Sequence, residues 1–360
     1  MTLADHLARL RLLATALVLG SAGGWVAAML NLPLPWMLGS VIVTTTASLA
    51  GVSLGVPRKL RMSMSIILGI LLGSTFRPEM IEDVGHWFVT LSGAALYAVA
   101  AMVLCVLTLR RIGRYDHITT FFTASPGSFA AMTMMGHAYG ADERVIALSH
   151  SVRLVLVVVS TPLFFQLFGL YDAASVDRTG GFGGMDWQDA LILSACALGV
   201  FPARWMRLKA EYLLGPLMIS AAVHLLGFTD ASPPGLVVSG AQIVIGAFVG
   251  ARFVGVDLSR IWRIPAVGLV LGLQMILISV LFAFVLFQIT DVPFPVLLLS
   301  LMPGGLSEMS LIAIAMQLEP AFVALHHVVR MMVIVLLAPI AFGLYQRRVA
   351  SAPQVRQDPE

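Results

Sequence analysis

The chain has 360 residues, of which 59% are hydrophobic and only 11% charged, and its mean hydropathy is +0.92. A soluble domain carries about 25% charged residues, so this composition excludes an ordinary water-soluble globule and describes an integral membrane protein. The formal net charge of +3 sits in a few loop arginines, which membrane topology explains better than nucleic-acid binding does.

In chain order, the N-terminal MTLADHLARLRLL places basic residues ahead of the first apolar run and shows no small-residue cleavage site, as a first transmembrane helix would. About 20 apolar residues cross roughly 30 Å of hydrocarbon. Runs of this kind fall near 12–30, 34–52, 62–76, 87–109 and 143–168, and again near 188–204, 212–228, 236–254, 264–289 and 321–345. A polar, Gly-rich linker at 171–187 separates the two sets. The chain thus divides into a membrane repeat over 1–170, the linker, a second membrane repeat over 188–347 and a tail over 348–360. Two further apolar segments, 118–138 and 294–317, are each interrupted by a Pro-Gly break. Cys105 and Cys196 lie in separate apolar runs without a CxxC pattern and read as packing residues.

The two sets are copies. Pro126, Gly127, Met132, His150, Arg153 and Pro162 recur 177 positions later as Pro303, Gly304, Met309, His327, Arg330 and Pro339. Pro57, Gly69, Gly73 and Phe76 recur at the same offset as Pro234, Gly246, Gly250 and Phe253. A register constant over so long a stretch is an internal duplication. Pro35 and Met37 align with Pro216 and Met218 at an offset of 181, which makes the connection before the third helix four residues shorter in the second copy. Gly69-x-x-x-Gly73 and Gly246-x-x-x-Gly250 read as small-residue faces for close helix contact.

Short cytoplasmic loops are rich in Lys and Arg. Arg9 and Arg11, then Arg58, Lys59 and Arg61, then Arg110, Arg111 and Arg114 mark the inner side. Glu79, Glu82 and Asp83 mark the outer side, as does the linker with Asp172, Asp177, Asp186 and Asp189. In the second half Arg204, Arg207 and Lys209, then Arg252, Arg260 and Arg263, then Arg347 and Arg348 are inner, while Asp230 and Asp291 are outer. One crossing, 143–168, suffices between Arg114 and Asp172, so 118–138 must enter and leave by the same face. The same parity holds for 294–317. Full crossings there would make the halves parallel and put Arg204, Arg207 and Lys209 outside. The expected fold is therefore an all-α integral membrane helix bundle of two inverted repeats, each with about five spans and one re-entrant Pro-Gly hairpin. Both termini are expected in the cytoplasm.

Broken backbone at membrane depth is tolerated only where protein buries it or a water-filled cavity lines it. Ser125, Pro126, Gly127 and Ser128 form one break, and Pro303, Gly304 and Gly305 the other. Freed N–H groups and half-helix N-termini at such breaks favour anions. Arg153 and Arg330 each lie ten residues past a helix start, which is about 15 Å of rise and so mid-bilayer. His150 and His327 precede them by three, on the same helical face. A central arginine needs a partner. Two readings stand side by side: the arginines cap carbonyls at the breaks, or they face a cavity and hold an anion. Glu308, which replaces Ala131 of the first copy, is the acid inside the hairpins, their candidate counter-ion and the candidate proton or coupling residue. His326 reads as a packed histidine. No HExxH, GxxxxGK[ST] or GxSxG pattern and no clustered Cys/His ligand set appears. No cofactor, metal site or enzymatic activity is therefore expected.

The paired SPGS…SHSVR and MPGGLSEMS…HHVVR segments, with LPLPWMLGS near 32–40, resemble the bacterial AbrB-duplication inner-membrane family over nearly the whole chain. Its members bear the names of regulators and of ammonia monooxygenases. The resemblance implies a multi-pass protein of the bacterial inner membrane and an association with regulation of gene expression, without binding residues to carry over. The soluble DNA-binding fold of similar name shares only that name. The residues themselves favour a transporter-like protein that moves or binds a small anionic solute at a midplane site. The alternatives are a membrane sensor or regulator without transport and, third, a membrane enzyme such as a monooxygenase. The expected partners are the lipid bilayer and a small anionic solute, with no nucleic acid, and self-association is left open.

Overall fold

The computed structural model describes residues 3–78, 84–113, 115–127, 129–169, 186–208, 210–257 and 261–350. Ser128, the acidic loop residues 79–83, Arg114, Lys209, Arg260, most of the linker and the tail beyond 350 lie outside them. Among the described residues regular structure is entirely helical. The first half contains α1 (Leu3–Met29), α2 (Pro35–Leu49), α3 (Arg58–Gly73), α4 (Phe88–Ile112), α5 (His117–Ala124), α6 (Phe129–Ala138) and α7 (Glu143–Leu167). The second contains α8 (Trp187–Cys196), α9 (Val200–Trp205), α10 (Glu211–Leu225), α11 (Gly235–Gly250), α12 (Arg263–Ile289), α13 (Phe294–Leu301), α14 (Leu306–Ala315) and α15 (Pro320–Ala350).

Six helices are long and apolar enough to cross a bilayer: α1, α4, α7, α11 with the turn that follows it, α12 and α15. Their outer faces present Val18, Trp25, Leu96, Leu277, Phe284 and Leu336. Such faces are costly in water and at home in lipid, so the chain is a multi-pass membrane protein. Of the ten apolar runs in the sequence, four give helices of only 15 or 16 residues, α2, α3, α10 and α11, the last lengthened by its 3-10 turn. The run at 188–204 is divided among α8, a 3-10 turn at Ala197–Gly199 and α9.

The duplication extends to backbone detail. From α3 onward the elements repeat at 177: α3 with α11, α5 with α13 and α6 with α14. Before that the offset is 176, because α2 at 35–49 matches α10 at 211–225. The left-handed residues obey the same rule, Asn31 with Arg207, Leu34 with Ala210 and Gly51 with Gly227. The register of 181 drawn from Pro35 and Met37 is therefore corrected to 176, and the connection before the third helix differs by one residue. The proline pair misleads because Pro35 opens α2 whereas Pro216 lies inside α10.

Close backbone approach sets this register. Gly23 of α1 and Gly39 of α2 face one another so tightly that a Cβ on either would overlap the other's carbonyl, and Gly199 and Gly215 repeat the contact. Between the halves the pairing is reciprocal. Gly69 and Gly73 of α3 lie against Leu213, Pro216, Leu217 and Ser220 of α10, while Gly246 and Gly250 of α11 lie against Met37, Ser40 and Thr44 of α2. The same contact is thus made twice, once from each half. Ser40 adds a hydrogen bond to the Ile243 carbonyl at 2.9 Å, and Ser220 one to Ile70 at 2.9 Å.

Each Pro-Gly break folds its segment back on itself. At the head of α7, Asp142 N–H donates to the Thr119 hydroxyl oxygen at 2.8 Å, and farther on His150 and Arg153 reach Phe122, Thr123 and Ser125. Thus α5 runs parallel to α7, and α6, joined to α7 by a short turn, returns antiparallel. Stacking of Phe122 on Tyr139 at 5.9 Å closes the arms. In the second copy His327 and Arg330 of α15 reach Leu299, Leu301 and Met302 in the same order, so α13 and α14 form the equivalent hairpin.

A side chain at the α1–α2 crossing has no room to move into, because its neighbour is backbone. Gly39→Val or Gly215→Val should destabilise the detergent-solubilised protein by about 1–3 kcal/mol or more. Gly240→Ala, with nothing within 4 Å of the added carbon, should be neutral or mildly stabilising. Thermal unfolding of the three variants tests this, and an unchanged midpoint for both valine variants would refute the crossing as described.

Candidate functional site

The first arm of each hairpin ends in carbonyls that no helical N–H can satisfy. The duplicated His-x-x-Arg supplies the donors. Arg330 Nη1 donates to Leu301 O at 2.9 Å and Met302 O at 2.7 Å, and Nη2 donates to Gly304 O at 3.2 Å and His327 Nδ1 at 2.7 Å. Arg153 Nη1 donates to Ser125 O at 3.1 Å and lies 3.6 Å from Met275 Sδ; Nη2 donates to Gly127 O at 3.3 Å and His150 Nδ1 at 3.4 Å. Arginine can only donate, so each histidine accepts at Nδ1 and carries its proton on Nε2. That proton faces the Phe122 and Thr123 carbonyls from His150, both at 3.2 Å, and the Leu299 carbonyl from His327 at 3.2 Å. All four side chains are buried.

The clamps therefore realise the capping alternative, with the guanidinium forks turned onto backbone rather than into open space. The described cavities do not meet them either. One, of about 410 Å³, lies between Ile112, Gly113 and Tyr115 on one side and Trp262, Ala266 and Val270 on the other, and another, of about 220 Å³, lies among Ile192, Cys196, Ile219 and Phe228. The two guanidinium groups are within electrostatic reach of one another, with the buried Tyr97 of α4 close to both. Tyr97 Oη is 3.0 Å from Ser279 Oγ, which is also 3.1 Å from Leu301 O, so this pair extends the second clamp onto α12. Sequence reading missed Tyr97 and Ser279, whose equivalents 177 positions away are Gln274 and Met102.

The two tips differ in exposure. Ser125, Pro126 and Gly127 are buried, and Gly127 abuts Ile334 of α15. Pro303 is buried, but Gly304 and Gly305 are half-exposed. His326 is a packed histidine, stacked 3.9 Å over Phe322 and 2.9 Å from Thr90 Oγ1.

Glu308 does not pair with either clamp arginine, which corrects the expected counter-ion role. An ion pair within 4.0 Å joins His137 to Glu143 instead, at the far end of the first hairpin. The physical reason is that carbonyls already take the donors of Arg330. Glu308 sits in the first turn of α14, where Ser307 Oγ donates to its Oε2 at 2.9 Å and the carboxylate fills the space a side chain on Gly305 would need. The cations it faces electrostatically are Arg61 of α3 and Arg252 of the turn after α11. Arg252 lies 4.2 Å over the Phe129 ring, at the start of α6, and 5.2 Å over Phe248, whose ring Arg61 covers at 4.7 Å. This cluster joins the first residues of both return arms, and the loop reading of Arg61 and Arg252 had missed it. One sequence signal was available: the equivalents of Arg61, Arg252 and Glu308 are Val238, Thr75 and Ala131, none of them charged.

If the clamps hold the hairpins, Arg330→Ala strands three carbonyls at a cost of about 1–3 kcal/mol each. Its unfolding midpoint should fall sharply, and Arg330→Lys should recover only part, since one ammonium cannot span the fork. A wild-type midpoint in Arg330→Ala would sink the clamp.

A family profile described as Transition state regulatory protein AbrB matches residues 36–346. "Uncharacterized protein YhjN" of Bacillus subtilis (strain 168) is 25% identical over 353 residues, covering 91% of each chain. "Putative regulator AbrB" of Escherichia coli (strain K12) is 23% identical over 312 residues, covering 86% of this chain and 89% of its own. With the profile spanning most of its length and both hairpins inside the match, the chain belongs to the AbrB family.

Proposed function

We propose that the protein is a transporter that moves a small anionic solute across the bacterial inner membrane between two inverted repeats. The observation that carries this reading is the pair of broken hairpins, each clamped at its tip and each aiming the N-terminus of its return arm at a shared charged cluster. Discontinuous helices whose half-helix N-termini meet at a site are how secondary transporters hold anionic groups in the membrane. In this reading the hairpins are re-entrant from opposite faces, both termini are cytoplasmic, and the twofold lies in the membrane plane. The loop arginines and the reciprocal glycine seam support it. Ser125, Pro126 and Gly127 form one tip and Pro303, Gly304 and Gly305 the other, while His150, Arg153, His327 and Arg330 position them and leave the solute to neighbouring groups.

Glu308 is the proposed coupling group. The histidines and charged residues that the elements around it hold away from the surface are Arg61 of α3, Arg252 after α11, His150 and Arg153 of α7, and His326, His327 and Arg330 of α15, whereas Arg58, Lys59, Glu143, Arg144 and Arg347 of the same helices are exposed. Protonation of Glu308 leaves two guanidinium groups without their carboxylate and so favours an anion. Uptake should rise as the pH falls. The regulatory names of the family and of the Escherichia coli relative fit a second reading, in which the anion is bound and sensed without flux.

Topology is tested by single cysteines: positions 230 and 291 should be labelled from outside, and positions 58 and 207 should not. Labelling of 207 from outside would overturn the inverted arrangement. For function, flux of small carboxylates and phosphate into proteoliposomes should respond to external acid in the wild type and be insensitive to it in Glu308→Gln. Saturable binding without flux would favour the sensor, and an unaltered pH response in a folded Glu308→Gln protein would remove Glu308 from coupling.

A further inference from the structure

We infer that Arg61 and Arg252 form the seat of the anion, a site for a small oxyanion set between the two hairpin tips. Arg252 Nε and Nη1 and Arg61 Nε are sealed from solvent and have no hydrogen-bond partner. The ring faces of Phe129 and Phe248 support the guanidinium planes, but a π face cannot accept from N–H groups along the guanidinium edge. Buried donors of a charged group are costly to leave unmade. Glu308 does not fill the gap, since it faces both cations from beyond 4.0 Å and turns its carboxylate toward Ser307 and Gly305. Two cations against one carboxylate leave one positive charge over.

What matches this arrangement is a planar or tetrahedral oxyanion, a carboxylate or a phosphate, accepting from the forked edges of both arginines. The N-termini of α6 and α14, which begin at Phe129 and Leu306 beside the cluster, add the positive ends of two ten-residue helices. The seat is absent from the mirror position, where Val238, Thr75 and Ala131 stand. It is thus one site per chain in a duplicated scaffold. The inference deepens the proposed function and shares its premise that the solute is an anion, while fixing the contacts on residues other than the clamps.

The test measures thermal stabilisation of the full-length protein in detergent by acetate, succinate and inorganic phosphate at constant ionic strength. The wild type should show saturable stabilisation by at least one of them. Arg61→Gln and Arg252→Gln should each weaken that response by at least about tenfold, whereas Arg263→Gln, at an exposed arginine over Trp262, should not. A second readout needs no variant. The effective anion should protect Arg61 and Arg252, but not Arg263, from an arginine-directed dicarbonyl reagent followed by peptide mass mapping. No saturable response in the wild type, full response in either glutamine variant, or no protection would each overturn the seat. Binding lost in these variants with no flux in the wild type would refute transport and leave the seat standing. Flux unimpaired in Arg252→Gln would do the reverse.

Discussion

A guanidinium laid across the last carbonyls of a broken helix is the interaction on which the rest of this fold depends. In hydrocarbon an unsatisfied peptide carbonyl costs several kcal/mol, and each hairpin exposes a run of them where proline ends its first arm. One arginine, oriented by a histidine three residues earlier, gathers them at both tips. The clamp residue lies on the long helix that follows the hairpin, parallel to its first arm. The tip is thus anchored to a membrane-spanning strut rather than to a loop. Lysine would not serve, because the task is to span several acceptors at fixed angles.

Around the clamps, contact between backbones replaces the hydrophobic driving force that lipid removes. Gly23 with Gly39 and Gly199 with Gly215 bring neighbouring helices to carbonyl contact, and Gly69, Gly73, Gly246 and Gly250 lock one half to the other. Serine hydroxyls at 40 and 220 fasten the same seam. Helices of 15 or 16 residues suffice there because partners from the opposite half cover them.

Much of this was legible because duplication preserves what the backbone requires. The tips, the His-x-x-Arg pairs and the Gly-x-x-x-Gly faces recur in register, and each has a role that tolerates few residue types. The register of α2 was misread because proline marks a helix start at Pro35 and is tolerated inside a helix at Pro216, so the match of residue types did not report a match of place. The partner of Glu308 was misassigned because sequence shows that Arg330 needs acceptors and does not show that carbonyls already provide them. Arg61 and Arg252 were hidden by a positive-inside count, which treats an arginine near a helix end as a topology marker even when its side chain reaches inward.

The charged residues at 61, 252 and 308 break the symmetry that the backbone keeps. Two identical halves would place the same chemistry at both equivalent positions, and no charge could then belong to one of them alone. A cluster built from α3, the end of α11 and the start of α14, with uncharged residues at the equivalent positions, makes the two halves chemically unlike. The scaffold can remain a near-copy of itself while the difference between its halves is written in three side chains.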